Sequence, residues 1–139
     1  MSKMARFSIS MDEELLKAFD SLLLRKGYTN RSEAVRDLVR NRLVMDEWEH
    51  AKGDVVAAVA VVYDHHNRLV ANRLMDLQHR FQKLITCTTH VHLDERNCLE
   101  VVILRGKSRA VREAADKLIS LRGVKHGSIM ATTTGKELV

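Results

Sequence analysis

An α+β fold in two parts is predicted by three observations. One alternating segment stands alone ahead of two amphipathic helical stretches, and a valine- and alanine-rich run opens the remainder. Helical and strand periods then alternate in the order βαββαβ. The first part, β-α-α, occupies residues 1–50. The second occupies 54–134, and residues 135–139 read as a flexible tail.

In the first part, Arg6-Phe7-Ser8-Ile9-Ser10-Met11 alternates polar and apolar side chains, the period of a half-buried strand. Asp12 can cap a first helix that bears Leu15, Leu16, Phe19, Leu22 and Leu23, and Gly27 ends it. A second helix starts at Asn30, with Glu33 three residues on as in a capping box, and carries Ala34, Val35, Leu38, Val39 and Leu43 inward. About fifty residues bury little surface, and a single strand has nothing to pair with. A second chain supplies both needs, so an intertwined dimer with a two-stranded ribbon is expected.

Such a ribbon fits the DNA major groove. Arg6, Ser8 and Ser10 fall on its open face, where arginine can read guanine and the hydroxyls can bond base edges. The helix start at Asn30, Arg31 and Ser32 can hold a phosphate through backbone N–H groups. Between Arg25 and Arg42 six basic residues stand against two acidic ones, and Arg36 and Arg40 share a helix face. Most such charge runs are solvated helix surface; here they follow an isolated strand.

The second part reads strand (55–63), helix (68–84), strand (86–93), strand (98–105), helix (108–121), strand (124–132). This is the order of a ferredoxin-like sandwich with helices on one side of an antiparallel sheet. Its third and fourth elements carry the chemistry. Residues 94–97 form a polar turn between two β-patterned runs, and pairing His92 with Cys98 sets Val91 against Leu99, His90 against Glu100 and Thr89 against Val101. One face then collects His90, His92, Cys98 and Glu100. The other collects Val91, Leu99, Val101 and Ile103 and reads as the core, with Cys87 on that apolar side.

Two imidazoles and a thiol on one face are soft transition-metal ligands, and Glu100 can orient an imidazole from behind. Solvated histidines and a plain buried thiol are the bland alternative. Three ligands leave a four-coordinate site open. His79 lies on the side of its helix away from the apolar stripe Val70, Leu74, Leu77, Phe81 and Leu84, where it is a surface residue or reaches a metal held by another chain. His50, His65, His66 and His126 read as structural or exposed.

The 139 residues carry a net charge of +5, which suits an anionic partner. Residues 1–50 hold nine basic and nine acidic side chains, so the excess comes from the remainder. No apolar run reaches the length of a membrane span and no signal peptide is evident, so a cytoplasmic protein is expected. Two cysteines fit a reducing compartment better than a disulfide framework.

Several motifs together carry a family resemblance over nearly the whole chain. They are Arg-x-Ser-x-Ser at 6–10, Gly-Tyr-x-Asn-Arg-Ser-Glu-Ala at 27–34, Tyr63-Asp64-His65 and Gln78-His79. His90-Val91-His92, Cys98-Leu99-Glu100 and Arg122-Gly123-Val124-Lys125-His126-Gly127 complete the set. In order and spacing they resemble the nickel-responsive ribbon-helix-helix regulators, the NikR family, whose second domain is of the ACT type. The resemblance implies a homotetramer, two DNA-binding dimers flanking four metal domains, that represses nickel-uptake genes from double-stranded operator DNA. It implies one Ni(II) per subunit, in a square plane of His90, His92 and Cys98 with His79 of a neighbouring chain. It also implies a second cation, such as K+, at Glu33 and Asp37 with carbonyls near Ile119, Leu121 and Val124, and a loop at Asn67 and Arg68 on the DNA backbone. Asn67 departs from a commonly basic residue, and Ser8 and Ser10 stand where threonine is also seen.

The ligands alone leave copper and zinc open. An enzyme with Cys98 as nucleophile and His92 as base lacks an oxyanion donor or an orienting triad. A DNA binder answering to a small molecule is the other alternative. The mechanism expected is population selection: one ion shared by two chains favours the tetramers able to seat both ribbons on two half-sites.

Overall fold

A computed structural model describes residues 2–50 and 53–139. Ala51 and Lys52, where the sequence places the linker, lie outside the described residues. The elements run α1 (Glu13–Lys26), α2 (Arg31–His50), β1 (Asp54–Asp64), α3 (Arg68–Arg80), β2 (Ile85–His92), β3 (Asn97–Lys107), α4 (Ser108–Ile119) and β4 (Val124–Thr133). Packing divides them into two compact units, Met1–Leu43 with Glu137–Val139, and Val44–Lys136.

In the first unit the caps are the expected ones. Asp12 accepts from the Glu14 N–H at 2.9 Å, acidic Glu13 and Glu14 open α1, basic Arg25 and Lys26 close it, and Gly27 ends it in the left-handed conformation. Asn30 accepts from the Glu33 N–H at 3.0 Å, while the Glu33 carboxylate turns instead to the Thr29 hydroxyl. The tail residue Val139 offers its carbonyl to Arg40 at 3.0 Å.

Burial departs from the expectation. Of the side chains expected inside, Leu23 and Ala34 are buried, whereas Leu15, Leu22, Leu38, Val39 and Leu43 are exposed. Residues 2–12 form no ladder with any described residue, and Phe7 and Ile9 are 75% and 70% exposed. Much of the apolar surface of the two helices stays uncovered within one chain. A strand without a hydrogen-bonding partner is likewise no strand.

The second unit is an antiparallel sheet of order β2-β3-β1-β4. Val55, Ala57, Val59, Val61 and Tyr63 of β1 and Cys98, Val102 and Leu104 of β3 form its buried face, against Val70 and Leu74 of α3 and Val111, Ala114, Ala115 and Leu118 of α4. The predicted hairpin register holds: His92 faces Cys98, Val91 faces Leu99, His90 faces Glu100 and Thr89 faces Val101. Which face is core does not. Cys98 and Glu100 lie on the helix-covered face, whereas Leu99, Val101 and Ile103 are half-buried on the other. Both alternating sets of β3 are apolar beyond Glu100, so period two cannot choose between them; the crossover helices do. Cys87, expected in the core, is exposed on the edge strand β2.

Helix α3 stops at Arg80, four residues before its expected end, although no Gly or Pro stands there. The following turn, with Leu84 N–H bonded to Phe81 O at 2.8 Å, still packs Phe81 and Leu84 against the core. At the other end of the unit, the Trp48 indole donates to the Thr132 carbonyl at 2.9 Å under the Arg112 guanidinium. Gly123 (φ 104°) ends the α4–β4 turn where a Cβ would stand 2.1 Å from Val70 Cγ2, so α3 can seat only against a glycine.

Candidate metal centre

The β2–β3 hairpin puts a thiol, two imidazoles and a carboxylate at one end of the sheet. Cys98 is fully buried and its sulfur lies 3.3 Å from His92 Nδ1. Burial pushes the thiol's pKa above its ordinary value, with Glu100, Asp94 and Asp64 adding in the same direction. A nucleophilic cysteine needs the opposite shift. A thiol held protonated until a cation displaces the proton is a metal ligand in waiting.

His90, one pleat along, has its ring centroid 5.6 Å from that of His92. Its Nε2 lies 3.4 Å from the Tyr63 hydroxyl, which donates its proton to Glu100 Oε2 at 3.0 Å. The Tyr63 oxygen therefore accepts from His90, which leaves Nδ1 of that ring for a metal. Burial, then the adjacent carboxylate, drives the Tyr63 pKa far up, so the hydroxyl stays a donor. Glu100 thus orients His90 through Tyr63, not directly as the sequence suggests. Its other oxygen accepts from the Gln78 amide at 2.7 Å, and Gln78 in turn accepts from Thr88 of β2 at 3.4 Å.

His79 follows Gln78 in the last turn of α3. It is exposed and lines a shallow hollow with Met75, Gln78, Gln82 and Ile85, and it is not among the groups that close on His92 and Cys98 within the chain. The residue that does close on them is His65, whose ligand atom lies within 4.8 Å of theirs. The sequence pattern alone reads His65 as structural or exposed. The signal lay in the pairing of Tyr63 with Cys98 across β1 and β3, which carries the chain just beyond β1 past the thiol.

The turn joining β2 to β3 is itself tightly bonded. Asp94 accepts from the N–H groups of Arg96 and Asn97, both at 2.8 Å, and from the Asn97 amide at 2.8 Å, which lowers its pKa to about 2. Arg96 pairs with Asp64 at 2.9 Å, joining turn to β1. The His92 nitrogen and the Cys98 thiol, on adjacent strands, fit a soft or borderline divalent cation, while His90, whose ring Tyr63 holds, lies outside the group of ligand atoms that converge within 4.8 Å.

The other expected site residues are dispersed. Arg6, Ser8 and Ser10 are exposed in the segment before α1, and Ser32 and Arg36 are exposed on α2. Asn30 is occupied as a cap, and the Arg31 guanidinium is held by Asp20 through two 2.8 Å bonds, which also keep the Asp20 pKa below its ordinary value. Arg68 is exposed at the start of α3, and Asn67, the departure from a basic residue, caps that helix by accepting from Leu69 and Val70 N–H groups. Asp37 accepts from the Tyr28 hydroxyl at 2.6 Å and Glu33 from the Thr29 hydroxyl at 3.4 Å.

Residues 56–132 match the model of the NikR C-terminal nickel-binding domain, and residues 5–44 that of the ribbon-helix-helix proteins of the copG family. The chain belongs to the family of nickel-responsive regulators. It is 52% identical over 138 residues to a protein of Solibacter usitatus, with 99% of both chains covered. It is 50% identical over 137 residues to one of Thermococcus kodakarensis, again with 99% of each covered. Both carry the name "Putative nickel-responsive regulator". An uncharacterized Thermotoga maritima protein of known structure superposes with TM-score 0.50 at 14% identity, over 56% of this chain and 96% of its own, and shares the fold alone. Membership makes this NikR-type chain a DNA-binding, metal-binding transcription regulator. No helix among its described residues is long and apolar enough to cross a membrane.

Proposed function

We propose that this chain represses nickel-uptake genes when Ni(II) fills a site built from His90, His92 and Cys98 of one subunit and His79 of a neighbour, one ion per subunit. The observation that carries this reading is the 3.3 Å approach of His92 Nδ1 to Cys98 Sγ on a hairpin whose second imidazole is oriented from behind. Bound nickel would supply a fixed square-planar link between two chains. The chain's own residues supply the coupling. Tyr63, Glu100 and Gln78 run in hydrogen-bonded series from the His90 ring to the residue beside His79. An ordered hairpin therefore favours one placement of the last turn of α3.

Two uncovered apolar surfaces support the assembly. The exposed Leu22, Leu38, Val39 and Leu43, with Phe7 and Ile9, suit the seam and ribbon of an intertwined dimer. In the second unit, Val56, Ala58, Ala60, Val62, Leu99, Val101 and Ile103 form the sheet face away from α3 and α4, suited to joining dimers into a tetramer. Arg6, Ser8 and Ser10 then read base edges, while Asn30, Arg31, Ser32, Arg36 and Arg68 serve the phosphates. Arg31 does so only by exchanging its Asp20 partner for a phosphate, and Asn30 through the helix start that it caps. A second cation such as K+ at Glu33 and Asp37, and a cytoplasmic location, belong to the same proposal.

Titration of the metal-free protein with Ni(II) tests it, followed by absorption and by gel shift of DNA from upstream of the nickel-uptake genes. A thiolate-to-nickel band saturating at one ion per chain, lost in Cys98→Ala and rising together with DNA binding, is expected. DNA binding indifferent to nickel would refute it.

A further inference from the structure

A hollow of about 280 Å³ opens at the end of the second unit away from the hairpin, lined by Val44, Met45, Trp48, Glu49, Arg112 and Ala131. All six belong to the unit Val44–Lys136. On α2, Val44 and Trp48 are four residues apart, as are Met45 and Glu49, so each pair stacks along one side of the helix. Strand β4 is an edge of the sheet, and the Trp48 indole, bonded to the Thr132 carbonyl at 2.9 Å, is fixed against it. Ala131 pairs with the buried Ala57 on the helix-covered face, where its small side chain leaves room between α2 and α4.

The wall that α4 contributes is charged. The guanidinium carbon of Arg112 lies 5.1 Å from the Trp48 ring centroid. Stacking uses the face of a guanidinium and leaves its N–H groups, which lie in the plane, directed outward. Among the described residues no carboxylate takes them: Glu113, next in sequence, pairs with Lys117 at 3.2 Å. In the same unit Arg96 and Arg105 each have an aspartate. A planar fork of donors held over an aromatic ring beside apolar walls matches a carboxylate that carries an apolar body. The Glu49 carboxylate in the same lining disfavours a second negative charge, which sets phosphates and dicarboxylates aside.

We propose that this hollow binds a small amphipathic monocarboxylate, its carboxylate held at two points by Arg112 and its apolar body laid against Val44, Met45, Trp48 and Ala131. The volume lies just under the roughly 300–1,000 Å³ of ordinary small-molecule sites, so the body is a short alkyl chain or a single ring. Covering Met45, which is 56% exposed, drives association, and the charge decides which end points to α4. Apolar walls beside the ion pair keep water from it, so it counts for more than a pair on the open surface. The site borders β4, at the opposite edge of the sheet from β2, and uses none of the nickel or DNA residues, so it stands apart from that reading.

Trp48 is the chain's single tryptophan and reports on the hollow without a label. The full-length protein is titrated with hexanoate, 1-hexanol, hexylamine and acetate, each followed by Trp48 emission and by calorimetry. Hexanoate should give a saturable emission change at one molecule per chain. Hexanol and hexylamine keep the body without the carboxylate and should bind roughly ten- to a hundredfold more weakly, the worth of hydrogen bonds to a charged group. Acetate keeps the carboxylate without the body and should also bind far more weakly. Arg112→Gln should lose the same factor as hexanol, and Ala131→Leu, which fills the hollow and leaves Arg112 in place, should weaken hexanoate too. Thermal unfolding checks that both variants fold, and the ligand series on wild type decides without them. Hexanol binding as well as hexanoate would reduce the hollow to an apolar crevice, and acetate doing so would make Arg112 an ordinary surface cation. Either result would overturn the proposal, as would undiminished hexanoate binding in Arg112→Gln or the lack of any saturable change in wild type.

Discussion

Gln78 and Glu100 are joined by a 2.7 Å hydrogen bond that ties helix α3 to the buried side of the β2–β3 hairpin. Glu100 is only 7% exposed, and its two oxygens are committed to Gln78 and Tyr63. Glu100→Ala leaves both donors without their acceptor and should lower stability by about 1–3 kcal/mol. Because Tyr63 then loses its hold on the His90 ring, nickel affinity should fall by about ten- to a hundredfold. Glu100→Gln keeps one acceptor and should recover part of both, read by thermal unfolding and by metal competition.

The protonation of Cys98 gives a pH dependence of fixed sign. Burial holds the thiol protonated above its ordinary range, so at neutral pH a metal must displace that proton. Affinity should therefore rise with pH, by roughly tenfold per unit for each proton released, until the thiol ionises unaided. Calorimetry in buffers of different ionisation enthalpy counts the protons. Affinity flat across the neutral range would show that the thiol is already ionised.

The hairpin register is legible in the sequence, and the parts that are not legible have physical causes. Register was readable because the four-residue turn after Leu93 and the His-x-His spacing admit one pairing that groups the ligands. The face was not, because Leu99, Val101 and Ile103 alternate with the equally apolar Val102 and Leu104. Cys87 went astray with it. The end of α3 carries no stop signal in the sequence, and His65 approaches the thiol only through the non-local pairing of β1 with β3. The caps at Asp12, Asn30 and Gly27 were legible because each acts within its own turn.

Gly123 fixes where α3 can sit. A Cβ there meets Val70 Cγ2 at 2.1 Å, on a backbone in the left-handed region. Gly123→Ala should cost on the order of 1–3 kcal/mol from the strained conformation, plus a comparable amount from displacing Val70. The melting temperature should drop accordingly, with Val70→Ala in the same chain recovering some of the steric part. An unchanged melting temperature would show that the turn relaxes freely.

The apolar surface of the helices gives a prediction about assembly. Leu38 and Val39 are about half exposed in one chain and suit burial against a second copy. Leu38→Glu would place an unpaired charge in that seam, a cost of several kcal/mol. Sedimentation should then show smaller species with DNA binding lost, while the nickel domain keeps its fold. Assembly unchanged by Leu38→Glu would place the dimer contact elsewhere.

The sharing of one metal between two chains is tested most directly by mixing variants. His79→Ala lacks the ligand offered to a neighbour, and Cys98→Ala lacks the thiol on its own hairpin, so neither alone should show the planar thiolate–nickel band. Unfolded together and refolded as mixed oligomers, Cys98→Ala chains would lend His79 to the intact hairpins of His79→Ala chains. Part of the nickel band should return, and part of the nickel-dependent DNA binding with it. A mixture as silent as its components would contradict a site built from two subunits, and a full band in His79→Ala alone would place every ligand within one chain.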